Sequence, residues 1–132
     1  MMTLGKLSER HALVTGGGSG IGRAIAESLM SAGARVTVTG RRLEALQSVS
    51  GANAVAMDVT DEASVIEGID AACAAFGPVQ ICIANAGIAE GASLARTDAQ
   101  MWRRIMATSL DGAFHTIRAC LPDMDDWGRV IA

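Results

Sequence analysis

The stretch Val14-Thr15-Gly16-Gly17-Gly18-Ser19-Gly20-Ile21-Gly22 constrains the fold more than any other part of the chain. Ahead of it, Ala12-Leu13-Val14 is short and apolar and reads as the end of a buried strand. After it, Ile21, Ala24, Ile25, Ser28, Leu29 and Ala32 recur at three- and four-residue spacing. That spacing predicts a helix from Ser19 or Gly20 to Ala32, ended by Gly33. A glycine-rich passage from strand to helix has a physical use. Residues without a Cβ let the backbone come close to a ligand. The first helical turn offers unpaired N–H groups at the positive end of a dipole, which suits phosphate. An ordinary flexible turn does not explain five glycines in the seven positions from Gly16 to Gly22.

The rest of the chain alternates strand and helix patterns. Arg10 to Thr15 is the first strand, and the β-branched run Arg35 to Thr39 predicts the second. Arg42 to Val49 follows as a short helix and Asn53 to Met57 as a third strand. Thr60 is the expected N-cap of the next helix, with Asp61 and Glu62 in its first turn, where negative charge suits the dipole. Val65, Ile66, Ile69, Cys73 and Phe76 mark its buried stripe. Val79 to Ala84 is nearly all apolar, as a parallel strand covered on both faces would be. Thr97-x-x-Gln100 matches a capping box and opens a long helical region from Met101 to Leu121, with Gly112 as its point of interruption. Arg129 to Ala132 starts a fifth strand. This alternation predicts an α/β protein, a three-layer Rossmann-like doubly wound parallel sheet, with residues 1–132 forming one domain that stops in its fifth strand. The small, polar stretch Gly87 to Ala95 is expected at the carboxyl edge of the sheet, where ligands bind in open α/β folds.

Composition excludes several functions. The formal net charge of -3 leaves no basic footprint for nucleic acid or an anionic membrane surface, and aromatics at 3% are too sparse for base stacking. No apolar run is long enough to span a bilayer, and Met1 to Arg10 lacks the apolar core of a signal peptide. Cys73, Cys82 and Cys120 are odd in number and far apart, so they read as reduced core cysteines of a cytoplasmic protein. His11 and His115 have no partner at metal-ligand spacing and read as structural or surface residues.

Gly16, Gly20 and Gly22, preceded by Thr15, read T-G-x-x-x-G-x-G, which resembles the signature of the short-chain dehydrogenase/reductase family. The resemblance runs from about Leu7 to Ala132 through several motifs in order. It implies a dinucleotide cradle at Gly16, Gly18, Ser19, Gly20, Ile21 and Gly22. At the end of the second strand, an acidic residue selects the 2′-hydroxyl of NAD and an arginine accommodates the 2′-phosphate of NADP. The chain has Gly40-Arg41-Arg42 there and no acid. NADP(H) is therefore expected over NAD(H), with Arg41 the first contact and Arg42 the second, since guanidinium matches phosphate bidentately. The alternative for this pair is a solvated, basic start to a helix. Asp58-Val59 resembles the family pair that reads adenine, although Asp58 also suits a helix cap. Asn85-Ala86-Gly87 resembles the family's N-A-G motif beside the ribose and nicotinamide, with Asn85 equally suited to holding strands together. In the family pattern W-x6-N-L-x-G, Ser109 stands at the asparagine that supports a proton-relay water. Its hydroxyl has a shorter reach, so Ser109 is either a weak relay residue or an ordinary helix residue.

The family's chemistry needs a serine after the fifth strand and a Tyr-x-x-x-Lys on the following helix. This chain has no tyrosine, and its only lysine is Lys6. A phenol near pKa 10 needs such a lysine to work as an acid/base at neutral pH. The resemblance thus implies the cofactor-binding portion of an oxidoreductase that interconverts an alcohol and a ketone, 3-oxoacyl thioesters among the candidates. By itself the chain is expected to be inactive, and in the family's manner the complete protein is expected to be a homo-oligomer. Two alternatives stay open: a non-catalytic dinucleotide-binding module, and an interaction protein completed by a second chain through its exposed sheet edge.

Overall fold

A computed structural model describes residues 5–132. Its sheet has the strands β1 (His11–Thr15), β2 (Arg35–Gly40), β3 (Asn53–Ala56), β4 (Ile81–Ile83) and β5 (Arg129–Ile131). They lie in the order β3-β2-β1-β4-β5, and every pair is parallel. The chain runs outward from β1 through β2 to β3, then returns to the other side of β1 for β4. The strand order therefore reverses between β1 and β4, and the carboxyl ends of these two strands flank a crevice there.

The helices are α1 (Gly20–Ser31), α2 (Leu43–Gln47), α3 (Glu62–Phe76), α4 (Ala99–Met106) and α5 (Gly112–Cys120). Alternation along the strands sends side chains to two cores. Ala12, Val14, Val36, Val38, Ile81 and Ile83 pack on one face with Ala26 of α1 and Leu46 of α2. Leu13, Cys82, Met57 and Val59 pack on the other with Val65, Ile69 and Ala72 of α3 and Cys120 of α5. The expected three layers are thus present, and all three cysteines gather in or against the second core.

Several local expectations shift. Asp61, not Thr60, caps α3, its carboxylate accepting from the N–H groups of Ala63 and Ser64 at 3.1 and 3.4 Å. Thr60 is held instead by Asp58, whose Oδ1 accepts from both its N–H and its hydroxyl. Asp98, not Thr97, caps α4 by accepting from Met101 N–H at 2.8 Å, while the Thr97 hydroxyl donates to the Ser93 carbonyl. Asx caps outcompete the neighbouring threonines because a carboxylate is the stronger acceptor. On α1 the buried positions are Gly22 and Ala26, while Ile21 at the helix start is 74% exposed. On α3, Ile66 faces outward and Gly68 packs against Met57 in its place. The long helix is interrupted at Ala107–Asp111, a π-helical turn, and not at Gly112 itself. Gly112 is buried there, packed so closely against the Val59 side chain that a Cβ would strike it.

Candidate functional site

The switch-point crevice assembles from four segments that are distant in sequence. The first is the glycine loop after β1. Gly16 sits at φ +64° and Gly20 at φ +55°, a region that favours glycine, and the space beside Gly20 is open. Gly22 lies so close to the Gly16 carbonyl and the Asn85 amide that no side chain fits. Ser19 is the N-cap of α1 but makes no side-chain cap bond, so the first-turn N–H groups have no side-chain partner.

The second and third segments are the ends of β2 and β3. A cavity of about 160 Å³ is bounded by Gly16, Gly40, Arg41, Asp58, Val59, Ala86, Gly87 and Thr108, among others. A neighbouring cavity of about 230 Å³ is bounded by Gly16, Gly18, Ser19, Arg41 and Arg42. Arg41 therefore borders both, and Arg42 only the one beside the glycine loop. The Asp58 carboxyl is held below its usual range, chiefly by the Thr60 hydroxyl and then by the Thr60 N–H, with the Arg41 cation adding a smaller pull. Asp58 is thus ionised at neutral pH and pre-arranged as an acceptor.

The fourth segment follows β4. Asn85 Nδ2 donates to the Thr15 and Gly16 carbonyls at 3.1 and 3.4 Å, which ties the glycine loop to β4. Thr15 Oγ1 in turn accepts from Ala86 N–H at 2.9 Å. Asn85 stands behind the crevice as a strand fastener, and Ala86 and Gly87 form its wall. Ser109 lies in the π-helical turn, where its hydroxyl accepts from Ile88 N–H at 3.4 Å. The loop gains a further tether from Glu90, which takes two bonds from Arg104 at 2.9 and 3.1 Å.

Of the predicted residues, Gly16, Gly18, Ser19, Arg41, Arg42, Asp58, Val59, Ala86 and Gly87 border the two cavities, whereas Gly20, Ile21, Gly22, Asn85 and Ser109 border neither, and Ile21 is 74% exposed. Sequence reasoning missed Thr39, Met57, Thr60, Ile88 and Thr108, which also border the first cavity. Thr39 precedes Gly40-Arg41 directly, so its place in the strand end was a usable signal. Thr108 had none, because the π-helical turn that aims it leaves no mark in the periodicity. Among the described residues, no group of three or more metal-ligating side chains converges, and no helix is long and apolar enough to cross a membrane.

Known proteins are similar to this chain. Among curated proteins, the NADP-dependent (R)-specific alcohol dehydrogenase of Lentilactobacillus kefiri is 36% identical over 130 residues, covering 93% of this chain and 52% of that protein. The 3-oxoacyl-(acyl-carrier-protein) reductase of Escherichia coli (strain K12) is 39% identical over 127 residues, covering 91% of this chain and 52% of that protein. A solved 3-ketoacyl-(acyl-carrier-protein) reductase from Brucella melitensis, complexed with NADH, superposes with a TM-score of 0.85 at 31% identity, over 89% of this chain and 51% of that one. The chain spans about half the length of these relatives. The short chain dehydrogenase family model matches residues 10–132, which takes in the glycine loop, both arginines, Asp58, Asn85 and Ser109. With the parallel sheet, the switch-point crevice and that match in agreement, the chain belongs to the short-chain dehydrogenase family.

Proposed function

We propose that this chain is the dinucleotide-binding portion of an NADP(H)-dependent oxidoreductase that interconverts alcohols and ketones, with 3-oxoacyl thioesters among its candidate substrates. The observation that carries this reading is the junction of Arg41 with the glycine loop around two adjoining cavities. One cavity has an ionised acceptor, Asp58, and backbone walls from Ala86 and Gly87, which suits an adenosine. The other has two guanidiniums beside the uncapped start of α1, which suits phosphate.

The residues present fit a dinucleotide. Gly16 and Gly20 give it backbone at close range and open space, and Gly22 keeps α1 tight against the loop. The nicotinamide, when bound, supplies the hydride. The chain's own part is to bind and orient: first-turn N–H groups hold the diphosphate, Arg41 and then Arg42 the 2′-phosphate, and Asp58 with the Val59 N–H the adenine. Ser109 keeps the loop after β4 in place through Ile88. No group in the chain replaces a tyrosine acid/base, because the chain has no tyrosine and Lys6 is remote in sequence from the site. The chain alone is therefore inactive in this reading, and the substrate's proton is handled by residues outside it. The complete enzyme works as a cytoplasmic homo-oligomer.

Calorimetric titration with NADPH and NADH tests the reading. Saturable binding with NADPH clearly preferred is expected. Absence of binding by either dinucleotide overturns it, and preference for NADH overturns the phosphate assignment.

A further inference from the structure

The amino edge of the sheet, opposite the crevice, carries a second polar cluster. In spatial order, β2, β1, β4 and β5 begin at or one residue after Arg35, Arg10, Gln80 and Arg129. The ring of Trp127 carries two of these guanidiniums. Arg10 Cζ lies 4.0 Å and Arg129 Cζ 4.6 Å from its centroid. A guanidinium stacked on a ring keeps its N–H fork available to an acceptor. Among the described residues, none of Arg10, Arg35 and Arg129 forms an ion pair. Arg35 donates to the Glu9 carbonyl at 3.2 Å and Arg129 to the Gly128 carbonyl at 2.8 Å. Two like charges thus share one ring with no carboxylate between them, an arrangement that packing alone does not favour.

A cavity of about 310 Å³ opens at this edge, bounded by Ser8, Glu9, Arg10 and Gln80. Backbone bonds tie the other arginines to its rim. Arg35 N–H donates to the Arg10 carbonyl and Arg129 N–H to the Gln80 carbonyl, each at 2.9 Å. Gln80 Oε1 accepts from His11 N–H at 3.2 Å, which leaves the Nε2 donors for another acceptor. Glu9 sits at φ +68°, the one positive φ outside glycine among the described residues. Left-handed backbone at such a residue is a feature of ligand sites, and here it presents the Glu9 carbonyl to Arg35. The rim is rich in donors: the Arg10 guanidinium, the Gln80 amide and the Ser8 hydroxyl, with Arg129 across Trp127. Its one carboxylate, on the exposed Glu9, pairs with none of the three cations.

We infer that this amino-edge cavity is an oxyanion site that takes the phosphate group of a phosphorylated small molecule on Arg10, Arg129 and Gln80. Guanidinium suits that group in shape and charge, and the volume lies at the small end of ligand pockets. The site stands apart from the dinucleotide reading, because no residue of its rim borders either crevice cavity.

The test makes Trp127 the sole tryptophan of the full chain through Trp102→Phe and follows its emission during titration with inorganic pyrophosphate at constant ionic strength. A saturable change is expected. In the same background, Arg10→Gln and Arg129→Gln are each expected to lose about tenfold or more in affinity, the worth of a charge-assisted contact, while melting like the parent. Arg41→Ala, in the crevice, is expected to stay within about twofold of the parent. Absence of a saturable change overturns the inference. So does parent-like affinity in either arginine variant, or a loss in Arg41→Ala as large as that in Arg10→Gln, since the anion would then lie in the crevice. If an arginine variant fails to fold, modification of the parent by phenylglyoxal, read by mass spectrometry, decides. Protection of Arg10 and Arg129 by pyrophosphate supports the site, and equal modification with and without it overturns the site.

Discussion

Arg41 borders both cavities, whereas Arg42, one residue on, reaches only the second and serves as the N-cap position of α2. That difference separates two residues that looked alike in sequence. Arg41→Ala is expected to weaken NADPH binding about tenfold or more, the worth of a charge-assisted phosphate contact, and to leave NADH binding nearly unchanged. Equal losses for the two dinucleotides in calorimetry would refute the phosphate assignment. Asp58 and Asn85 show the other side of residue-level reading. For each, the sequence left two roles open. Asp58 organises Thr60 and borders the cavity without capping α3, and Asn85 fastens the glycine loop to β4 through two carbonyls. Gly22 is required by contact and not by backbone conformation. Gly22→Ala is expected to cost about 2 kcal/mol or more in urea unfolding, because the new methyl meets the Gly16 carbonyl and the Asn85 amide. An alanine variant as stable as the parent would show that the loop yields freely.

At the scale of elements, the amino ends of three strands are tied by His11. Its Nδ1 meets the Gly77 carbonyl at 2.8 Å and its Nε2 meets Thr37 Oγ1 at 2.8 Å. Asn53 Nδ2 donates to that same Thr37 oxygen at 3.2 Å. The carbonyl accepts only, so Nδ1 carries the proton and Nε2 accepts from Thr37. A second proton would remove that acceptor. Burial lowers the His11 pKa from its ordinary 6.5, and the nearby Arg35 cation works the same way, with the Gly77 carbonyl opposing. The unfolded chain therefore takes up a proton at about 6.5 that the folded chain resists. Stability is fully present above that pH and falls as the pH drops below it toward the folded value, by up to about 1.4 kcal/mol per pH unit. Urea midpoints between pH 7.5 and 5 should show this slope, and His11→Asn should flatten it (both pH values are about one unit or more from 6.5). A slope unchanged in the variant would assign the acid sensitivity elsewhere. Helix starts were less legible than strands. In each of two places a threonine and an aspartate stand side by side, and only the fold shows which one meets the first-turn amides.

For the whole molecule, two surfaces matter. Trp102, Leu110 and Phe114 of α4, the π-helical turn and α5 are each more than half exposed, and so is Ile131 on the sheet's edge strand β5. Apolar side chains exposed along one helical run, and an open strand edge, each favour association. The chain is expected to sediment as a concentration-dependent mixture and Phe114→Glu to shift it toward monomer. A parent chain that stays monomeric at every concentration would exclude that face as an association surface. The order of elements, the parallel sheet and the identity of the segments around the crevice were all readable in advance. Each rests on local signals: apolar runs, three- and four-residue spacing, and glycines where a strand turns into a helix. Local sequence alone places a glycine-rich loop after β1 and arginines, with no acid, after β2. Tertiary structure alone decided which arginine borders both cavities, that Asn85 is a fastener, that the helix breaks before Gly112, and that Arg10 and Arg129 meet on Trp127. These depend on which atoms meet across residues far apart in the chain, and periodicity carries no record of that.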